Sequence, residues 1–582
     1  MSKMSLTLPS SPHTLFRRHS STIPYSSYSR LKTVTKSSLL AVPVVALLGS
    51  AGFYLLQDAR ERRKIRGTFN GFKRFFRTMA SGALITADYK YNLHGLVEDS
   101  PAYDAAITGC HTRSAERVLQ TCLANGGLYI KMGQGLSAVG QANFVPREYA
   151  TTLQVLQDKV LSFRPTELDE LFLEDFGVAP ETLFSKLDRT PIAAASLAQV
   201  FRATTMDGRD VAVKCQYIDL RDRYSGDIRT VGLVLEFLHW IFPEFMGNWI
   251  FNEIKDTLAL ELDFIKEGRN SEKCARDLAN LSYLYVPKVL WSLTSPRVLT
   301  TEFIDNAAKI TDVDRIKKMA LSINDINQKL LTIFGEQIFR SGFVHADPHP
   351  GNIFVRRHNG KAQIVLLDHG LYETIPDAVR VNICHVYKAT VMGDHINMKK
   401  YSDLLGMPDY LMFAQVLVQR PLGQIGRRLL GMKKDLSKKD FDQLRKEMDG
   451  HVEKAVATVK AMPKSLYLVM RNMNLVRAIC VVHGNPIDRY TIFSRIAAKT
   501  AALDPVAIVA VPTVYGRASA AMEFAVFEWN LLLYAISSRM LLMAVTVMRY
   551  FGWMSSHRTT TATGFLSDAK TAGEHPPAAM PL

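Results

Sequence analysis

Apolar and polar positions alternate most sharply in two stretches. In Pro191–Lys214, PIAAASLAQVFRATTMDGRDVAVK, the alternation predicts strands over Val200–Ala203 and Val211–Lys214, joined across an Asp207-Gly208 turn. In Phe343–Gly370, FVHADPHPGNIFVRRHNGKAQIVLLDHG, it predicts a strand over Ile353–Val355, a tight turn at Asn359-Gly360 and a return strand over Gln363–Leu367. Val298–Ile304, VLTTEFI, reads as a buried strand, and the polar Asp305-Asn306 after it fits a hinge between two lobes. Elsewhere the helical period dominates. It covers about Ala106–Val145, Leu153–Val160 up to a break near Arg164-Pro165, Phe251 to about Asn270, and most of Pro376 to about Val511.

Two apolar runs stand apart. Ser38–Leu56 is 19 residues without a charge, ends in an aromatic pair and is followed by the basic run Arg60–Arg66, so it reads as one membrane anchor. Trp529–Met548 is as long, but Arg539 at its centre would cost about 2.5–3.5 kcal/mol or more in a span. That run reads as a helix lying on a membrane or packed on the domain.

Charge changes this picture in one place. Of the net +16, residues 1–77 supply +12, with 14 Lys/Arg against 2 Asp/Glu, which leaves little basic surface for a nucleic acid. Residues 1–37 hold six basic and no acidic side chains among many Ser and Thr, the composition of a mitochondrial presequence. The six cysteines are scattered without a CxxC pair, which argues against both a disulfide scaffold and a zinc ribbon. The basic positions Arg427, Arg428, Lys433, Lys434, Lys438 and Lys439 read as a solvated face or as a contact for anionic lipid.

The candidate chemistry gathers at the hairpins. The second carries Asp347 and Asn352 at its entrance and Asp368 at its exit, so three oxygen ligands converge as a Mg²⁺–phosphate site requires; the competing reading makes them turn formers. Ala193, Ala194, Ala195 and Ser196 are small enough to bring backbone amides near a phosphate, and Lys214 ends the strand beyond them. On a regular helix from Phe251, Asp263, Glu267 and Asn270 share a face while Glu261 points nearly opposite, which makes Glu267 a partner for Lys214. Upstream, Gly126-Gly127-Leu128-Tyr129-Ile130-Lys131-Met132-Gly133-Gln134 places glycines in a helical run, a sign of close packing.

Phosphate loop, strand lysine, helix glutamate, hinge, His345-x-Asp347-x-x-x-x-Asn352 and Asp368-His369-Gly370 follow in an order that resembles a protein-kinase-like fold. More narrowly, Lys131-Met132-Gly133-Gln134, Ala193–Ser196, Glu261-Leu262-Asp263 and HADPHPGN resemble the UbiB/aarF-domain family of atypical kinases over roughly residues 120–375, closest to its mitochondrial subgroup numbered five. The resemblance implies an α+β, two-lobed fold with an N-terminal helical extension, a helical C-terminal part and a single N-terminal transmembrane anchor. It implies ATP and Mg²⁺ as ligands. Lys214 would hold phosphates and pair with Glu267, Asp347 would stand at the base position, Asn352 and Asp368 would hold the metal, and Glu302 would lie beside the nucleotide at the hinge. Lys131, Gly133 and Gln134, with Glu261 and Asp263, would form an extension over the site, which conflicts with the regular-helix projection of Glu261.

Departures from protein kinases are Ala346 for the usual Arg, His369 for Phe, no APE motif and a phosphate loop without glycines. They put peptide phosphorylation in doubt more than nucleotide binding. The expected function is an atypical kinase or ATPase of the mitochondrial membrane acting in coenzyme Q or lipid homeostasis, or else a catalytically silent, nucleotide-gated scaffold. The expected divisions are a presequence (1–37), a transmembrane helix (38–56), a basic linker with helices (57–105), the extension (106–190), an N-lobe (191–306), a C-lobe (307–511), apolar helices (512–555) and a disordered tail (556–582).

Overall fold

Strand register decides the architecture. In the computed structural model the described residues are 55–98, 100–140, 146–157, 165–194, 197–242, 251, 255, 258–418, 458, 462–503, 518, 521–533, 536, 540 and 543. The presequence, nearly all of the 38–56 run, Ala195-Ser196, the 427–439 basic cluster, Arg539 and the tail lie outside them. Residues 1–69 and 70–582 form separate units.

The strands are β1 (Phe184–Leu187), β2 (Ala193–Ala194), β3 (Ala198–Thr205), β4 (Asp210–Gln216), β5 (Leu284–Tyr285), β6 (Val298–Glu302), β7 (Ala307–Lys309), β8 (Phe343–His345), β9 (Ile353–His358), β10 (Lys361–Leu366) and β11 (Tyr372–Thr374). An antiparallel sheet in the order β1-β3-β4-β6, with β2 on β3, forms the N-lobe. Its inner face is apolar because β3 and β4 alternate, and Phe201, Val211 and Val213 pack on Phe172 and Phe184. A second sheet, β5-β10-β9-β7, and the β8–β11 pair carry the site-bearing hairpin.

Helices among the described residues include α1 (Ala59–Asn92), α2 (Pro101–Asn125), α3 (Leu128–Gly140), α4 (Arg147–Leu153), α5 (Pro165–Phe176), α6 (Leu220–Ile241), α7 (Phe264–Asp277), α8 (Ile323–Gly335), α9 (Asp377–Met392), α10 (His395–Leu404), α11 (Tyr410–Val418), α12 (Lys464–Val482) and α13 (Arg489–Leu503). The helix expected over 153–160 is displaced: α4 ends at Leu153 and a 3₁₀ turn, Gln154–Gln157, follows. The C-lobe core centres on Phe339, Tyr387 and Phe493, whose rings meet edge to face. Among the described residues one helix, Ser465–Val482 in α12, is long and apolar enough to cross a membrane, but half of it is buried in the protein. It is a core helix of the C-lobe.

The extension has its own core, in which Leu128, Tyr129, Ile130 and Met132 of α3 meet Leu153, Leu156 and Leu220. Gly133 explains its glycine here: an added Cβ would collide with Leu156 and stand 3.2 Å from Cys122 Sγ. Arg74 of α1 pairs with Asp227 of α6 at 2.8 Å, with 8% and 6% of the two side chains exposed. All six cysteines are buried and none is in a disulfide.

Candidate active site

The hairpin is built as its sequence dictates. Asn359 and Gly360 adopt φ of 48° and 76°, the left-handed pair that a two-residue turn needs, and Lys361 pairs with His358 directly across it. At the other end Leu367 N donates to Asn352 O at 3.1 Å, so entrance and exit loops lie side by side. Asp347, Asn352 and Asp368 are thereby brought to one place.

His345 fixes the two aspartate loops relative to each other. Its Nε2 donates to Asp368 O at 3.0 Å, and its Nδ1 accepts from Asp347 N at 3.2 Å. Both ring nitrogens are engaged, and burial lowers its pKa, so His345 is a neutral structural residue rather than a metal ligand. His369 is similar: Nε2 donates to Leu366 O, Nδ1 accepts from Tyr372 Oη, and burial pushes its pKa down to about 3. It stacks with Tyr372, which stacks on His345. The histidine at the usual Phe position is therefore a packing element. No group of three or more His, Cys, Asp or Glu able to hold a metal occurs among the described residues.

Lys214 links the lobes. In β4 it lies opposite Val200, and its Nζ reaches Glu267 Oε1 of α7 at 2.7 Å and Asp368 Oδ2 at 3.3 Å. Burial works against the ammonium, but Asp368 and Glu267 outweigh it and raise its pKa. Burial likewise opposes ionisation of Asp368, and Lys214 with the Gly370 N–H holds that carboxyl well below the usual range. Glu267 is only 3% exposed, and burial pushes its carboxyl up to about 7 against the pull of Lys214. Asn270, one turn along α7, donates to His369 O at 3.0 Å.

The Glu267 shift has a measurable consequence. Its pKa is raised in the folded state from 4.5, so the folded protein holds a proton that the unfolded chain releases. The associated stability is fully present below pH 4.5 and lost as pH rises through about 7. Lys214 stays charged across that range. Relative to Glu267→Gln, the wild type should lose on the order of 3 kcal/mol between those limits. Urea unfolding of both proteins from pH 5 to 8 measures it, and parallel stability curves would contradict the shift.

The helix expected to run unbroken from Phe251 is broken. Helical residues end at Glu261, Leu262 turns, and Asp263 starts α7 as its N-cap, accepting from Ile265 N at 3.1 Å. The break swings Glu261 inward, where Lys131 Nζ meets Glu261 Oε2 at 2.7 Å. A Cβ added to Gly370 would stand 3.4 Å from Asp368 Oδ1, 3.8 Å from Glu261 Cγ and 3.9 Å from Glu267 Oε2, so three acids of separate segments converge there. Burial opposes the Lys131 charge, yet Glu261 and Asp347 raise its pKa. The same burial raises Glu261 despite Lys131. Lys131 and Glu261 thus reach the site, whereas Gln134 donates to Leu156 O within the extension and Asp263 serves α7.

Other residues stand as follows. Ala193 and Ala194 pair with Val200 and Gln199 beside the cleft strand. The Glu302 carboxylate accepts from Tyr285 Oη and, at 3.1 Å, from Lys288 N, so its side chain is already committed at the hinge. Asn352 ends a short 3₁₀ turn, Pro350–Asn352. Two residues escaped sequence reasoning. Arg471 of α12 donates through Nη2 to Asp347 Oδ1 at 3.1 Å, and Asn472 Nδ2 donates to His345 O at 2.6 Å. The signal available was an Arg-Asn pair inside the apolar run LYLVMRNMNLV. Burial opposes ionisation of Asp347 as well, and Arg471 and Lys131 hold its carboxyl below the usual range.

A five-stranded antiparallel lobe, a helix glutamate paired with a strand lysine, and a catalytic-loop hairpin define a two-lobed protein-kinase-like protein. The ABC1 atypical kinase-like domain matches residues 155–402. The Gallus gallus AarF domain-containing protein kinase 1 is 36% identical over 412 residues, 70% of this chain and 78% of that protein. The chain therefore belongs to the ABC1/AarF family of atypical kinases. A Dictyostelium discoideum relative, "Probable serine/threonine-protein kinase abkD", is 40% identical over 436 residues, 74% of this chain but 61% of that longer protein. The chicken relative carries the number one rather than five, so the family, and not the subgroup, is what the comparison establishes. The solved complex of Rv3197 with erythromycin from Mycobacterium tuberculosis gives a TM-score of 0.45 at 18% identity, over 67% of this chain and 97% of that one. At that level the fold assignment rests on strand order and register instead.

Proposed function

We propose that the chain binds ATP and ADP with Mg²⁺ and acts as an atypical kinase or ATPase on a small molecule or lipid at the mitochondrial membrane, in coenzyme Q or lipid homeostasis. The observation that carries the nucleotide reading is Lys214 Nζ held between Glu267 Oε1 and Asp368 Oδ2. An ammonium already balanced between two acids is oriented for phosphate oxygens and needs no separate positioning step. Ala193 pairs with Val200, which lies opposite Lys214, and with the Glu302 side chain occupied, the hinge would offer a base its main-chain groups. The mitochondrial and membrane parts rest on the 1–37 presequence composition and the 38–56 apolar run.

The donor set suits Mg²⁺. Asp368 is kept ionised and 33% exposed, and the Asn352 amide stands at the neighbouring hairpin end, both hard oxygen donors. Bound there, the ion would neutralise phosphate charge. Asp347, ionised and close to Lys131 and Arg471, would orient an acceptor hydroxyl.

A second reading, a nucleotide-binding protein without turnover, is favoured by the Arg471–Asp347 and Lys131–Glu261 pairs, which occupy the acceptor side. Loss of ATP over time, with Mg²⁺ and with or without anionic liposomes, separates the two. Mg²⁺-dependent consumption that Asp347→Asn abolishes is expected for a kinase or ATPase. Nucleotide binding with no consumption under any condition would overturn that reading and leave the scaffold.

A further inference from the structure

Inside the apolar α12 the adjacent polar residues Arg471 and Asn472 both face the catalytic loop. Asn472 is fully buried and anchored on His345 O, and Leu468, a turn earlier, packs against Ala346 and Leu371. Ala346 is itself 0% exposed, so a long side chain at that position would drive α12 off the loop. The small residue there is what lets α12 sit down and deliver Arg471. A cation missing from the loop sequence thus arrives from a helix more than a hundred residues later in the chain.

Arg471 is incompletely used. It pairs with Asp347 through Nη2 and Oδ1 at 3.1 Å, longer than the 2.7 Å contacts that Lys131 and Lys214 make with Glu261 and Glu267. Its Nε is enclosed without a hydrogen-bond partner, while 23% of the side chain remains exposed. The guanidinium therefore stands beside Asp347 within the electrostatic reach of Glu261, and Lys131 acts on the same Asp347 carboxylate. A planar guanidinium in a 3.1 Å carboxylate pair, with part of its side chain still exposed, is suited to a tetrahedral oxyanion.

We propose that Arg471 binds the terminal phosphate of a nucleoside triphosphate at this site, shifting hydrogen bonding from Asp347 to phosphate oxygens. The proposal rests on the nucleotide-site reading above and adds to it a residue that distinguishes triphosphate from diphosphate. Asp347, sharing the same guanidinium, competes with that phosphate.

The test is calorimetric titration of the full chain with MgATP and with MgADP, for the wild type, Arg471→Met, Arg471→Lys, Asp347→Asn and the Arg471→Met/Asp347→Asn double variant. Arg471→Met should weaken MgATP roughly tenfold or more, the worth of a charge-assisted hydrogen bond, and leave MgADP within about twofold. Arg471→Lys should keep part of the ATP preference. Asp347→Asn should increase the ATP preference, and the double variant should lose that gain. Retained MgADP binding certifies that each variant is folded at the site. Equal losses of MgATP and MgADP in Arg471→Met, or no loss of MgATP, would overturn the proposal while leaving the nucleotide site standing. A wild type that binds neither nucleotide would overturn both.

Discussion

Asp368→Asn is expected to weaken Mg²⁺-dependent nucleotide binding on the order of 100-fold, at least the upper end of what a lost supporting contact costs a metal site. The substitution removes the one carboxylate that is both held ionised by Lys214 and still 33% exposed. Lys214 keeps Glu267 at 2.7 Å, so the fold should survive and the melting temperature of the nucleotide-free protein should change little. The check is nucleotide titration with and without Mg²⁺ on both proteins. Binding that is equally strong in Asp368→Asn would remove Asp368 from the site.

The second large effect lies away from the chemistry. Arg74→Met should destabilise the protein by about 3–5 kcal/mol, because it strands a buried carboxylate. Asp227 is 6% exposed, and burial raises its pKa even with Arg74 beside it. Arg74→Met combined with Asp227→Leu should recover most of the loss, since an apolar pair of that size carries no stranded charge. Urea midpoints of the single and double variants measure this. A single variant as stable as the wild type would show that the pair does not hold α1 to α6. The pair is of functional interest because the extension core that it borders also positions Lys131.

The hairpin and its three oxygen donors were legible in the sequence because the code there is local. An Asn-Gly turn between alternating strands fixes the register within a few residues, and the register alone brings Asp347, Asn352 and Asp368 together. The Lys214–Glu267 pair was legible for a similar reason, one helical face opposite one strand end. The inward turn of Glu261 was not. Nothing in Leu260–Ile265 breaks a helical period, and Asp263 becomes a cap where Gln216 Nε2 and Arg221 take the Leu262 carbonyl. Arg471 and Asn472 were further out of reach, since their partners precede them by more than a hundred residues and no spacing rule connects them. The same limit applies to Gln134, whose polar partner is a main-chain carbonyl of another segment.

His369 and Ala346 change meaning in this light. Read against protein kinases they are losses. In the folded chain His369 completes a buried stack with Tyr372, and Ala346 makes room for Leu468. Ala346 gives up a regulatory group for packing between the catalytic loop and α12, whereas His369 gives one up for packing within residues 345–372.

Lys214, Asp368 and Asn352 are proposed to form a nucleotide–Mg²⁺ site. Thermal unfolding of the wild-type full chain with ADP or ATP, with Mg²⁺ and with Mg²⁺ removed by chelation, tests it most directly. Nucleotide at a hundred times its dissociation constant should stabilise the fold by about 2.7 kcal/mol, and only with Mg²⁺ present. An unchanged melting temperature at millimolar nucleotide with Mg²⁺ would show that these residues form no such site.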